Sequence, residues 1–268
     1  MHCDSVAVPG GRVNIYEAGA GPPVVLLHGL LGSPAYLAPL ARVLAAEGRR
    51  VLVPDLPGHG GSTQLRPFTF ASAADHLAAA IREVTTEPPA LLGHSLGAPM
   101  AVTWAARHPV RSLVAASPVG MVPLDLGRTA ELMAAAPALA AVARVAGPLL
   151  YSTRLGRRVA FGWFVGMREP EAVTPELARR LVLSAAQVAG TAALPEMLDH
   201  LIGFDLRADA ESVQSPALVI WGEHDAHVGN GAELAAAVRG SAEEMAGVGH
   251  MPMLEVPFAF RSALRGWL

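Results

Sequence analysis

The sequence predicts an α/β protein, a mostly parallel sheet with helices on both faces, on three observations. Short apolar runs rich in valine and leucine alternate with helix-length amphipathic segments through the first half of the chain. Those runs are continuous rather than alternating, as in strands buried on both faces of a parallel sheet. Glycine-rich turns follow several of them, where parallel strands hand over to helices.

The elements follow in order. Val13–Tyr16 alternates as an early strand and Val24–Leu27 is a buried one. A helical period covers Tyr36–Glu47, and Val51–Val53 forms the next strand. A glycine-rich loop at Pro57–Gly61 precedes a helix over Ala71–Val84, then a strand and sharp turn over 90–95, a helix to His108, and a strand at Leu113–Ala116. From Val119 to Arg207 helical runs, punctuated by prolines, replace this rhythm. Strands return at Ala217–Trp221 and near Ala242–Ala246, and a final helix runs from Pro257 to Leu268. The expected organisation is a core domain of residues 1–118 and 208–268 carrying a helical insertion at 119–207.

Composition narrows the function class. Of 268 residues 52% are hydrophobic and 16% charged, with net charge −3, so electrostatics give no reason to expect nucleic acid as partner. All 20 basic residues are arginine; coding bias explains this better than a phosphate site. The single cysteine, Cys3, excludes an internal disulfide and a thiolate metal site, and is read as incidental in a frayed N-terminus. No signal-peptide pattern and no run of about 18 apolar residues is found. The expectation is a cytoplasmic protein acting on a small molecule, without a membrane span, its oligomeric state unspecified.

The chemistry concentrates in three places. Gly93-His-Ser-Leu-Gly97 puts Ser95 at the apex of a strand–turn–helix, with glycines where a Cβ would collide. A serine hydroxyl is a poor nucleophile at neutral pH and needs a histidine base, itself oriented by a carboxylate. The turn after Ala217–Trp221 supplies Asp225, and Gly247-Val-Gly-His250 supplies the histidine. In a parallel sheet all three fall at carboxyl ends of strands, where sites of such folds form. His224 and His227 flank Asp225, but with no third ligand in view neither metal nor cofactor is expected.

With His28-Gly-Leu-Leu-Gly32, Asp55-Leu-Pro-Gly-His-Gly-Gly-Ser62, Trp221-Gly-Glu-His-Asp225 and Gly249-His-Met-Pro-Met-Leu-Glu-Val-Pro257 in this order, the chain resembles the α/β-hydrolase superfamily over nearly its whole length, specifically its capped, single-domain serine hydrolases. The resemblance implies that the insertion caps the site. It also implies an oxyanion hole from the backbone N–H groups of Leu30 and Leu96, each donor worth about 3–4 kcal/mol in comparable enzymes. His28, read as holding the oxyanion loop, is grouped with Gly29, His94, Met121, Trp163 and Met251 around the pocket. One departure is the absence of proline shortly after Asp225.

The leading expectation is a serine hydrolase cleaving an ester, lactone or thioester of a small, largely apolar substrate through an acyl-enzyme. Alternatives on the same scaffold are a cofactor-free perhydrolase or haloperoxidase-like enzyme, a non-hydrolytic biosynthetic enzyme, or a ligand-binding protein.

Overall fold

The computed structural model describes residues 1–121, 138, 141–142, 145–227 and 231–268, with Trp163 and Phe164 described in their backbone alone. Within the expected insertion 119–207, Asp125, a carboxylate some way after the strand Leu113–Ala116, and Met133, with most of residues 132–145 around it, lie outside the described residues.

Eight strands form one sheet in the order β1-β2-β4-β3-β5-β6-β7-β8. They are β1 His2–Val8, β2 Gly11–Ala18, β3 Pro23–Leu27, β4 Arg50–Pro54, β5 Ala90–His94, β6 Ser112–Ala116, β7 Ala217–Gly222 and β8 Ser241–Met245. β1 and β2 are an antiparallel hairpin and β2 joins β4 antiparallel; from β4 to β8 every pairing is parallel. The N-terminus is therefore a paired edge strand, not frayed chain, and Cys3 lies exposed in it opposite Tyr16. Its residues are mostly exposed, so the continuous apolar run that revealed the inner strands is missing.

The inner strands sort side chains strictly by parity. Val25, Leu27, Leu52, Leu91, Leu113 and Val219 pack on one face and Val24, Leu26, Val51, Leu92, Val114 and Ile220 on the other. Each buried valine or leucine contributes about 1.5–3 kcal/mol, and a one-residue slip would exchange the two faces.

Helices α1 (Ala38–Ala46), α2 (Phe70–Val84) and α3 (Gly97–Arg107) cover the first strands. A 3-10 turn at Pro34–Tyr36 precedes α1, and a capping box between Thr69 and Ser72 starts α2. Between β6 and β7 lie α4 (Gly147–Ser152), α5 (Arg154–Arg157), a π-helical stretch at Arg158–Phe164, α6 (Pro175–Ala189), α7 (Ala193–Ile202) and α8 (Arg207–Ser212). α9 (Gly231–Ala237) follows β7, and α10 (Pro252–Glu255) and α11 (Pro257–Ala263) end the chain, the last helix being shorter than its apolar pattern suggested. Among the described residues no single helix is long and apolar enough to cross a membrane; α6 and α7 pass that test only together, bent by 81°.

The strand order fixes where a site can form. From β3 the chain steps to β4 on one side and later to β5 on the other, so the order reverses between β3 and β5. Outside the carboxyl ends of such a pair the connecting loops diverge and leave a crevice. The helical segment between β6 and β7 is fastened to these loops: Ser184 Oγ donates to Gly32 O (2.7 Å) and Gln187 Nε2 to Gly60 O (3.2 Å). Leu30 and Leu31 pack against Val188, Leu194 and Leu198.

Candidate active site

The turn at the end of β5 holds Ser95 at φ +55°, a left-handed conformation that costs a non-glycine residue about 1–2 kcal/mol. The surroundings over-determine it. The Ser95 N–H is held by Ala116 O at 3.0 Å. A Cβ on Gly93 would lie 2.1 Å from Gly97 O and one on Gly97 2.6 Å from Leu27 O and His28 O, so only glycines let strand, turn and helix approach this closely.

Asp225 and His250 converge on the same point from the ends of β7 and β8. His250 Nε2 lies 3.0 Å from Ser95 Oγ, and its Nδ1 lies 2.8 and 2.9 Å from the two Asp225 carboxylate oxygens. With Nδ1–H donating to a carboxylate, Nε2 carries the free lone pair and faces the hydroxyl, the tautomer a general base needs. The Asp225 side chain is 0% exposed. Burial pushes its carboxyl upward, but the hydrogen bond and charge of His250, together with the His227 N–H at 2.9 Å, hold it below the ordinary aspartate range. The Ser117 hydroxyl, which completes no hydrogen bond of good geometry, adds a weaker pull in the same direction. The carboxylate therefore stays ionised to partner an imidazolium.

Leu30 lies in the loop after β3 and Leu96 starts α3. Among the described residues neither backbone N–H is taken up by another group. Gly29 lies against the serine, where a Cβ would come within 2.9 Å of Ser95 Cβ. His28 is fully buried; its Nδ1 is 2.9 Å from Gly29 O and its Nε2 accepts Leu56 N–H at 3.2 Å. His28 thus holds two loops in place, and burial and the neighbouring His59 keep its ring uncharged.

His94 is buried too, and burial lowers its pKa to about 3. Its Nδ1 meets Tyr36 Oη at 2.8 Å and its Nε2 meets His250 O at 2.8 Å. Met251 is buried beside His250, and Met121 packs in the core layer of α2 and α3. The Trp163 side chain lies outside the described atoms. His59, in the glycine-rich loop Pro57–Gly61, is 1% exposed. His224 is exposed and His227 sets its ring against His250 at 4.8 Å; no group of metal-ligating side chains occurs among the described residues.

Sequence reasoning did not single out Glu255. Its carboxylate accepts four backbone N–H groups: Arg168 at 2.7 Å, Glu169 at 3.2 Å, Gly249 at 3.2 Å and Met251 at 3.1 Å. The His250 N–H donates to Gly166 O at 3.1 Å. The histidine loop and the segment 166–169 are thereby bound into one unit. The only sequence signal was Glu255's place in the motif after His250.

The arrangement is a hydroxyl, a correctly oriented base and an ionised carboxylate beside two uncommitted backbone donors, which is the equipment for acyl transfer. A family model described as "Alpha/beta hydrolase family" matches residues 24–263. The chain is 31% identical over 265 residues to the pimeloyl-[acyl-carrier protein] methyl ester esterase of Xylella fastidiosa, covering 95% of this chain and 98% of that protein. To the sn-1-specific diacylglycerol lipase ABHD11 of Xenopus tropicalis it is 35% identical over 98 residues, 36% of this chain and about a third (31%) of that protein. The crystal structure of a bromoperoxidase from Bacillus anthracis superposes with a TM-score of 0.77 at 19% identity, covering 98% of both chains, a likeness of fold.

Proposed function

The chain belongs to the alpha/beta hydrolase family, and on that premise we propose that it is a serine hydrolase cleaving a carboxylic ester, lactone or thioester of a small, largely apolar substrate through an acyl-enzyme on Ser95. The observation that carries the reading is the unbroken line from Ser95 Oγ through His250 to the buried Asp225 carboxylate, at 3.0 and 2.8 Å.

In the first half-reaction Ser95 Oγ attacks the substrate carbonyl as His250 Nε2 takes its proton. The tetrahedral oxyanion is met by the Leu30 and Leu96 N–H groups, aided by the positive end of α3. Collapse expels the alcohol or thiol, which receives the proton from His250, leaving Ser95 acylated. Water, deprotonated by the same imidazole, then attacks the acyl carbonyl, and the acid departs with Ser95 regenerated.

The helices between β6 and β7 act as a cap on this reading. Leu30 and Leu31 pack on α6 and α7 through apolar side chains, and an apolar surrounding of the Leu30 loop favours an acyl chain over a charged group. The esterase named for the Xylella relative is consistent with ester cleavage. The test is turnover of p-nitrophenyl esters from acetyl to dodecanoyl by the wild type and by Ser95→Ala. Hydrolysis falling about 10³-fold or more in the variant is expected, with the preferred chain length gauging the pocket. Equal rates from both proteins would overturn the reading.

A further inference from the structure

Tyr36 and His94 take no part in the proton transfers just described, yet both are 2% exposed and every polar atom of their side chains is engaged. The Gly29 N–H donates to Tyr36 Oη at 2.6 Å, Tyr36 Oη lies 2.8 Å from His94 Nδ1, and His94 Nε2 lies 2.8 Å from the His250 carbonyl oxygen. The protons in this chain have one arrangement. A carbonyl oxygen only accepts, so His94 Nε2 carries the hydrogen. The ring is neutral, so Nδ1 is an acceptor and the Tyr36 hydroxyl donates to it, while the hydroxyl oxygen receives the Gly29 N–H. The two rings meet nearly edge to face, with centroids 5.4 Å apart, and the His94 ring lies 5.0 Å from that of His250.

The chain's ends are informative. Gly29 precedes Leu30, His94 precedes Ser95, and the last acceptor is the backbone of His250 itself. Three strands, β3, β5 and β8, thus have the loops at their carboxyl ends joined by two buried side chains. We infer that Tyr36 and His94 are positioning residues that set the oxyanion loop, the nucleophile and the base in mutual register through one directional hydrogen-bond chain. The inference rests on the acyl-transfer reading for its kinetic consequence but not for its geometry. Register of this kind matters because a misplacement of about 1 Å between reacting groups can cost about 10²-fold in rate.

A filler role is the competing account, since the Tyr36 ring packs with Leu26, Leu37 and Leu40 in the core. Tyr36→Phe keeps that ring and removes the hydroxyl alone. His94→Gln keeps a donor near the Nε2 position and loses the acceptor for Tyr36, and His94→Asn does the reverse. Each is measured for kcat and KM on the best p-nitrophenyl ester and for melting temperature. The expected result is a kcat about tenfold lower in each single variant with KM changed less than about threefold. The double variant Tyr36→Phe, His94→Gln is expected to be no slower than the slower single, because both changes break the same link. A Tyr36→Phe kcat within twofold of wild type, or losses that multiply in the double variant, would overturn the inference.

Should the wild type show no Ser95-dependent turnover, the functional reading falls and the chain is judged by the ring ¹⁵N shifts of His94. The Nε2–H tautomer with an Nδ1 that responds to Tyr36→Phe is expected. An Nδ1–H tautomer, or no response, overturns it.

Discussion

Gly29 shows how little room the candidate site leaves. Its φ lies outside the left-handed region, so alanine is tolerated by the backbone, but the added methyl would stand 2.9 Å from Ser95 Cβ and 3.4 Å from Ser95 Oγ. The serine must give way by a few tenths of an ångström. Gly29→Ala is therefore expected to lower kcat about 10- to 100-fold while the melting temperature moves by only a few degrees, as steady-state kinetics beside a thermal melt would reveal; an unchanged kcat would mean that the turn yields elsewhere. The meeting of Ser95, Asp225 and His250 was readable from sequence as a juxtaposition, because a serine, an acid and a histidine fall in turns that strand patterns locate at the carboxyl ends of parallel strands. Tyr36 and Glu255 were not, since they act through backbone N–H groups and a single ring, contacts that leave no period and no spacing. A tyrosine following the Gly29–Gly32 loop reads as ordinary core, which in part it is.

At the scale of elements, Glu255 joins α10 to the chain on either side of the histidine and to the segment after the π-helical stretch. Four N–H donors converge on one carboxylate. Glu255→Gln turns an amide NH₂ toward some of those donors, and each one left buried without an acceptor costs about 1–3 kcal/mol. The expected outcome is a lower melting temperature together with faster amide exchange at Arg168, Glu169 and Met251, read by hydrogen-exchange mass spectrometry. Protection equal to wild type would show that the clamp is redundant. The elements themselves divide by burial. β3 to β7, walled on both faces, were visible as continuous apolar runs; β1, mostly exposed, was not expected, and β8, which buries only its last residue, was expected near Ala242–Ala246 and runs over Ser241–Met245. Exposed edge strands lack the alternation that sequence patterns detect.

For the whole molecule, the buried histidines set the response to acid. Burial holds His59 at about 4 and His94 at about 3, and His28 is lowered too, while His76 and His200, less buried, shift the same way. In the unfolded chain these rings take protons near pH 6.5, whereas in the folded protein His59 takes its proton only at about 4 and His94 at about 3, and the other three are shifted in the same direction. Between pH 6.5 and 4 the unfolded state binds more protons, so stability is full above that window and falls through it, by about 1.4 kcal/mol per pH unit for each of His59 and His94, with His28, His76 and His200 acting in the same direction. Asp55 opposes this: burial raises it to about 6, so the folded state gains its proton first and stability rises as pH falls from 6 toward 3.8. Several histidines outweigh one carboxyl, and the melting temperature is expected to drop steeply from pH 7 to pH 5 by differential scanning calorimetry; a flat or rising profile would contradict the burial of these rings.

The spread of the candidate site along the chain bears on how the protein is made. Ser95 and His250 stand 155 positions apart, and the left-handed backbone at Ser95 persists only with β3, β5 and β6 assembled around it. Pairings so distant in sequence form late and slowly. On the proposed acyl-transfer reading, covalent capture of Ser95 by a serine-directed phosphonate is thus a clock for folding: during refolding, labelling is expected only in those molecules in which the last strands have closed.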